Sequence, residues 1–426
     1  MKRFLLWIFV LGFLSANAQD TLTVLQYNLL NYGNYTSYCT ENNNNYLNKD
    51  GYIKTIVEYV KPDIFSVNEI SVSPSIHQHM LNYALNTDGV TKYSKANFIR
   101  VNTYSDLGNM LYYNHNKLGL AGHVIAQSYI RDVDVYKLYY KSSRLSNGDT
   151  TFLYCVVAHL KAGSGTDNEN KRNVMAKNTM DYIAGHNPDN NYLLSGDFNL
   201  YSDKEPAFQQ FIDYKVAAIR FNDPANEIGA WHNNPDFSLY HTQSTHTSSG
   251  CASSGGLDDR FDFIMISDNI KNDNKKIGYL SGSFHVVGQD GKHFNQSLTS
   301  SPANTTVPSD VLNALYNNSD HLPVTLKLIV DEPVGIRQFT HSAFDVIQLA
   351  SPVVNQLNLR LGVNKTTVVT IEIYSLLGQR MMMKKQLLQS GHNRIEMNVS
   401  SLPKGMYIVR FTDGDGLSQS RKVIKR

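Results

Sequence analysis

Between Leu22 and Glu69 the sequence reads strand, helix, strand, and that order limits the possible folds more than any other feature. Leu22-Thr-Val-Leu-Gln-Tyr27 alternates as a half-buried strand and stops at Asn28. Tyr52, Ile53, Ile56, Val57 and Val60 then recur with helical spacing until Lys61-Pro62 ends the run. Asp63-Ile-Phe-Ser-Val67 is a second strand, closed by Asn68-Glu69. Two strands joined by a helical crossover lie parallel, with their carboxyl ends on one rim. Asn28 and Glu69 are therefore expected to meet.

The same device recurs downstream. Phe152-Leu-Tyr-Cys-Val-Val-Ala158 stops at His159-Leu-Lys161, and Tyr192-Leu-Leu-Ser195 stops at Gly196-Asp-Phe-Asn199 after a helix over 169–183. Gly196 reads as a break that lets Asp197 and Asn199 emerge where neighbouring backbone can approach. In between, 75–87 reads as helix, and 98–100, 109–113, 124–130 and 136–141 read as strands. Asp262 and Asp320-His321 instead begin strands, over 263–266 and 322–330. In an antiparallel pair the start of one strand lies beside the end of its neighbour, so all six termini can share one edge of a mixed sheet.

Carboxylate and amide oxygens suit Mg²⁺, with Mn²⁺ or Ca²⁺ also accommodated, and Mg²⁺ is commonly held by one or two carboxylates plus substrate phosphate. Glu69 is the expected main metal ligand, with Asn28 and Asp320 nearby. His159 and His321 beside carboxylates suit acid–base work on a phosphoester. Asp262 is placed to orient His321 and raise its pKa, and Asp197 with Asn199 to position the attacking water. Arg131 and Lys161 offer phosphate-charge partners, and His241, in a polar insertion that begins near Trp231, offers a phosphate contact.

Taken together, Tyr27-Asn28, Pro62-Asp-Ile-Phe-Ser-Val-Asn-Glu69, Val156-Val-Ala-His-Leu-Lys161, Ser195-Gly-Asp-Phe-Asn199, Arg260-Phe-Asp262 and Ser319-Asp-His-Leu-Pro323 resemble the successive motifs of the endonuclease/exonuclease/phosphatase superfamily. They stand in that family's order over roughly residues 20–330. The resemblance implies a four-layered α/β sandwich of two mixed sheets and metal-dependent phosphoester hydrolysis. It also implies the glutamate as metal ligand, the Gly-Asp-Phe-Asn carboxylate and amide around the attacking water, and a histidine–aspartate pair at the phosphate. His159 matches the additional histidine of the deoxyribonuclease-like and sphingomyelinase-like branches. Asn68 departs from the family, which more often has Gln there; with Glu69 in place this is expected to matter little.

At 426 residues the chain is long enough for two domains. Lys2-Arg3, an apolar stretch over 4–14 and Ser15-Ala-Asn-Ala18 read as a signal peptide over 1–18, too short to span a bilayer comfortably. The catalytic domain is expected over 19–331 and a linker over 332–345. Of the three cysteines, Cys155 lies in an apolar run and reads as a buried hydrophobe. Cys39 and Cys251 lie in polar sequence, and an oxidising compartment would allow a disulfide between them. Residues 19–330 carry 24 Lys+Arg against 30 Asp+Glu, which excludes a generally basic nucleic-acid binder, whereas 331–426 carry 13 against 7.

From about residue 346 short alternating segments separated by turn signals predict a small all-β sandwich. Ile373-Tyr-Ser-Leu-Leu-Gly378, Leu402-Pro-Lys-Gly-Met-Tyr-Ile-Val-Arg410 and the basic end Arg421-Lys-Val-Ile-Lys-Arg426 resemble the C-terminal sorting domain of type IX secretion cargo. That resemblance implies the type IX secretion machinery as a partner and a secreted or surface-attached protein. An adhesive or carbohydrate-binding sandwich is the alternative for this tail. For the whole chain the expectation is a secreted phosphodiesterase, with DNA or RNA as substrate. The alternatives are a sphingomyelinase-like or other phospholipid or small-phosphoester hydrolase of the same fold, of which a membrane-acting one should carry an exposed aromatic or aliphatic hairpin, and a catalytically silent surface-binding protein.

Overall fold

The computed structural model describes residues 18–332 apart from 143, 144, 146 and 147, and residues 344–426 apart from 350, 364, 377 and 414–417. All but one residue of the expected signal peptide, and most of the expected linker, fall outside the described residues. The chain divides into two compact units, Met1–Pro333 and Val334–Arg426.

The first unit holds two sheets. One contains β1 (Ala18–Tyr32), β2 (Ile64–Ser71), β3 (Tyr93–Lys95), β4 (Leu107–Asn114), β11 (Ile277–Tyr279), β12 (His285–Val286) and β13 (Val324–Glu332), in the order β11-β13-β1-β2-β4-β3 with β12 also on β13. The other contains β5 (Leu118–Gln127), β6 (Val133–Tyr140), β7 (Phe152–His159), β8 (Tyr192–Asp197), β9 (Phe221–Asn222) and β10 (Asp262–Ser267), in the order β5-β6-β7-β8-β10-β9. Both are mixed: β1 runs parallel to β2 and antiparallel to β13, and β7 runs parallel to β8 and antiparallel to β6. Residues 98–100 are not a strand.

Alternation along the strands makes the layers. In the second sheet Tyr136, Leu138, Cys155, Val157, Ile264 and Ile266 join a core with the first sheet, while Val133, Val135, Val156, Leu194, Phe263 and Met265 turn to the other side. There they meet Met175 and Met180 of α3 (Thr166–Gly185) and Phe208 and Phe211 of α4 (Pro206–Ile212). Ile53 and Ile56 of α1 (Tyr46–Val60), Met80 of α2 (Pro74–Met80) and Leu315 of a helix over Ser309–Asn318 pack on the first sheet. The result is the expected four-layered α/β sandwich. No helix among the described residues is long and apolar enough to cross a membrane.

His77 of α2 is fully buried, with Nε2 2.6 Å from the Ser71 carbonyl, and burial lowers its pKa to about 4. The folded state thus binds fewer protons than the unfolded state between pH 4 and the ordinary value near 6.5, so stability is lost as pH falls across that window. At about 1.4 kcal/mol per unit the loss is of order 3 kcal/mol. Urea unfolding at pH 7 and pH 4.5 should show it, and His77→Gln should flatten the difference; an unchanged pH dependence would refute the assignment.

In the second unit a three-stranded sheet (Phe344–Leu349, Gln356–Val363, Gly391–Asn398) and a four-stranded sheet (Arg380–Leu388, Thr367–Ser375, Gly405–Thr412, Ser418–Lys425) share one core that includes Leu359, Ile371, Val409 and Phe411. It is the small all-β domain expected from the turn spacing.

Candidate active site

Register aligns the strand ends. His159 pairs with Asp197 across the parallel β7–β8 contact, and Asp197 pairs with Asp262 across the antiparallel β8–β10 contact. Gly196 does not break β8 but lies within it, at φ +149°, and a Cβ there would sit 1.7 Å from the Ala158 oxygen. Only glycine permits this approach of β7 to β8. In the first sheet Asn28 pairs with Asn68, and the register of β2 slips between Val67 and Ile70, with Glu69 at φ +55°. Such a bulge re-aims the side chain it carries.

The two rims meet through Asn28, whose Nδ2 donates to Asp197 Oδ2 at 2.9 Å and Glu69 Oε1 at 3.2 Å. The backbone N–H of Asn31 donates to Glu69 Oε2 at 3.1 Å. His159 Nε2 stands 3.4 Å from Asp197 Oδ2 and 3.8 Å from Glu69 Oε1. Ligand atoms of Glu69, His159 and Asp197 lie within 4.8 Å of one another. Two carboxylates and an imidazole in this space fit a divalent cation. Burial, together with the Asp262 and Glu69 charges, pushes Asp197 up to about 7 despite the opposing pull of His321, which is the crowding a cation would relieve.

The two histidines are driven apart. Burial, then the charges of Arg131, His321 and Lys161, hold His159 well below its ordinary pKa. Burial opposes charge on His321 as well, but Asp262, with Oδ2 2.7 Å from Nδ1, and Asp197, 3.8 Å from Nε2, outweigh it and raise the ring well above its ordinary value. Gln243 Nε2 lies 2.7 Å from His321 Nε2, an orientation that serves an unprotonated nitrogen. Asn28 Nδ2, 3.5 Å away, faces the same nitrogen, so two amides favour an unprotonated Nε2 while the carboxylates of Asp262, Asp197 and Asp320 favour the charged ring.

The remaining sequence-derived candidates fall into different places. Asn199 donates through both N and Nδ2 to Asp197 Oδ1, at 3.1 and 2.8 Å, and so locks that carboxylate. Asn28 reaches the cluster with its amide nitrogen, while its Oδ1 accepts from Leu30 N at 2.9 Å, so it is a hydrogen-bond donor here and not an oxygen ligand. Asp320 is not in the cluster: its Oδ2 accepts from Gln243 Nε2 at 3.1 Å and Ser253 N at 2.9 Å. Successive residues of extended chain point opposite ways, so delivering His321 to the rim turns Asp320 aside. Arg131 is a half-buried cation bonded to the Leu160 oxygen at 2.5 Å and within electrostatic reach of Glu69 and Asp197. Lys161 donates to the Ala162 oxygen at 2.7 Å. His241 is fully buried, with Nε2 2.8 Å from the Trp231 carbonyl and Phe294 beside its ring. It fastens the insertion from within and is withdrawn from any phosphate.

Three residues escaped the sequence reading. Asn68 Oδ1 accepts the Asp197 N–H at 2.9 Å, and its Nδ2 donates to Asn109 Oδ1 at 2.7 Å, so the departure from Gln sits at the joint between the sheets. Gln243 links Asp320 to His321. Lys49 is fully buried on α1 and donates to the Leu29 and Leu30 carbonyls and Asn44 Oδ1 at 2.7–2.9 Å. It fixes the left-handed turn at Leu30 and Asn31 that carries the Glu69 contact. Burial lowers its ammonium to about 7, against the pull of Asp320 and Glu69. Its signal was present: Lys49, Ile53, Ile56 and Val60 recur on one helix face.

Among solved structures, an endonuclease/exonuclease/phosphatase from Beutenbergia cavernae is 13% identical, with 95% of this chain and 100% of that chain covered and a TM-score of 0.41. TDP2 of D. rerio complexed with a single-strand DNA product is 11% identical over 72% of this chain and 99% of that chain, with a TM-score of 0.44. The human nocturnin catalytic domain with a bound sulfate anion is 15% identical over 73% and 97%, with a TM-score of 0.41. These are distant likenesses, and the chemistry rests on the side chains above. No curated protein matches the sequence. Residues 351–426 match the family model of the secretion system C-terminal sorting domain, and the protein is accordingly one that is secreted or held at the cell surface.

Proposed function

We propose that the first unit is a divalent-metal-dependent phosphodiesterase acting outside the cell, with nucleic acid, DNA or RNA, as its substrate, and that the C-terminal domain delivers it through the type IX secretion machinery. The observation that carries this reading is the pair of histidines flanking Asp197, with His159 Nε2 3.4 Å and His321 Nε2 3.8 Å from its Oδ2 and Asp262 on the far nitrogen of His321, in surroundings that lower the pKa of the first ring and raise that of the second. Environments that split two like groups in this way assign a base and an acid. A water beside Asp197 and His159 loses its proton to His159 as it attacks phosphorus, and His321 in its protonated form balances the charge that builds on the phosphoryl oxygens and gives its Nε2 proton to the leaving oxygen as the ester bond breaks. A cation held by the Glu69 and Asp197 carboxylates would supply further positive charge at the phosphate and leave the His159 imidazole free to act as the base.

Supercoiled plasmid incubated with the purified protein and Mg²⁺ should be nicked, nicking should stop with EDTA, and Glu69→Gln should lower the rate at least about 100-fold, within the range that a lost charge-stabilising group produces. Mn²⁺ and Ca²⁺ in place of Mg²⁺ rank the ions. A folded protein that cleaves neither DNA nor RNA with any of the three ions would overturn the nuclease reading.

A further inference from the structure

An open cleft of ≈ 780 Å³ lies beside the proposed catalytic centre, between the loop after β1 and the loop before β10. The Cys39–Cys251 disulfide joins those loops and forms part of the cleft wall. Asn31 and Ser253 also line it. Asn31 donates its backbone N–H to Glu69, and Ser253 donates its own to Asp320, which connects through Gln243 to His321. The cleft is thus one hydrogen bond from the proposed metal-site carboxylate on one side and three from His321 on the other. Its volume is within the range of small-molecule sites.

The lining has a definite chemistry. It offers Asn, Thr and Ser side chains with Gly and Ala backbone, and no Lys, Arg, Asp or Glu. A phosphate would find no cation there, so the phosphate is left to the His321 side, and the cleft suits an uncharged, hydrogen-bonding part of the substrate. Tyr38 is the one aromatic residue in this lining, and it is 75% exposed. Its backbone is nonetheless fixed: Tyr38 N donates to Thr36 Oγ1 at 3.1 Å, its carbonyl accepts from Asn43 Nδ2 at 2.8 Å, and the next residue is the bridged Cys39. An aromatic ring presented to solvent from an anchored loop costs little to immobilise when a flat partner arrives, and base-on-aromatic stacking is the interaction it suits.

We propose that this cleft is the subsite for the nucleoside next to the scissile phosphate, with Tyr38 stacking on the base and the Ser and Thr hydroxyls meeting the sugar. The inference rests on the phosphodiesterase reading for its orientation, and the test separates the two. Hydrolysis of thymidylyl-thymidine with Mg²⁺ is compared with that of the same phosphodiester made abasic on one side or the other. Removing the base from the side that occupies the cleft should lower kcat/KM about tenfold, the order expected of one lost stack. Tyr38→Ala should cost about tenfold more on the dinucleotide than on that abasic analogue, and Tyr38→Phe, which keeps the ring, should restore the difference. A Tyr38→Ala loss that is equal on both substrates, or no loss, overturns the subsite while leaving the phosphodiesterase standing. In parallel, the full chain is titrated with the dinucleotide in EDTA, where no turnover occurs. Binding that Tyr38→Ala weakens and Tyr38→Phe retains upholds the cleft even if hydrolysis fails; absent or Tyr38-independent binding removes it.

Discussion

His321→Ala is expected to lower Mg²⁺-dependent nicking by about 10²–10⁴-fold, the usual worth of a positioned acid or base. The ring's two nitrogens are committed to different tasks, Nδ1 to Asp262 and Nε2 to the space shared with Asp197 and Asn28. Deleting it also leaves the fully buried Asp262 without its 2.7 Å partner, a situation that typically costs about 3–5 kcal/mol. Activity must therefore be read beside a thermal melt, at a temperature where the variant is folded. Asp262→Asn separates the effects. It keeps a hydrogen-bonding oxygen but removes the charge that holds the proton on His321, so the pKa of His321 falls and the alkaline limb of the pH–rate profile moves to lower pH. Wild-type turnover in His321→Ala, or an unmoved alkaline limb in Asp262→Asn, would sink the role given to this pair.

Replacing both bridged cysteines, Cys39→Ala with Cys251→Ala, is expected to cost about 5 kcal/mol in urea unfolding, because the bridge closes a loop with a sequence separation of 212 residues and the entropy it removes from the unfolded chain grows with loop length. The functional effect should be larger than a distant staple would produce. Asn31 Nδ2 lies 3.5 Å from Cys39 Sγ and 3.4 Å from Glu69 Oε2, so the bridge, the turn and the Glu69 carboxylate are consecutive contacts. Dithiothreitol should reproduce the double variant, since the remaining thiol, Cys155, is buried with its pKa raised by desolvation. An unchanged urea midpoint after confirmed reduction would show that the rest of the fold already restrains the two loops.

Sequence carried the fold of the first unit well because its signals are local. A short apolar strand that gives way to a polar residue announces both a sheet and a rim; β7 and β8 end on theirs, His159 and Asp197, whereas β1 and β2 run on past Asn28 and Glu69 to Tyr32 and Ser71. It carried less of the site because side-chain direction depends on neighbours far along the chain. Asp320 and His321 are adjacent in sequence, yet one faces Gln243 and Ser253 and the other faces Asp262. The polar neighbours of His241 point to a phosphate contact, but the Trp231 carbonyl, ten residues earlier, takes its Nε2. Asn68 seemed replaceable beside Glu69, and only the facing sheet shows that its amide receives the Asp197 backbone. Lys49 was hidden by habit: a lysine in a helix is assigned to solvent, although its position on the face of Ile53 and Ile56 assigned it inward.

The pairing of Ala18 with Glu332 and of Gln26 with Val324 means that β1 has one neighbour, β2, that emerges from the ribosome soon after it, and another, β13, that emerges at the far end of the unit. At about 5–20 residues per second the wait for that second partner is on the order of 15–60 seconds. Contacts this remote in sequence also make for slow folding once synthesis is finished. His321 arrives on the approach to the same late strand. A product truncated before residue 319 therefore lacks His321 and one side of its central strand together, so the last strand of the fold and the last of the proposed site residues arrive in one step.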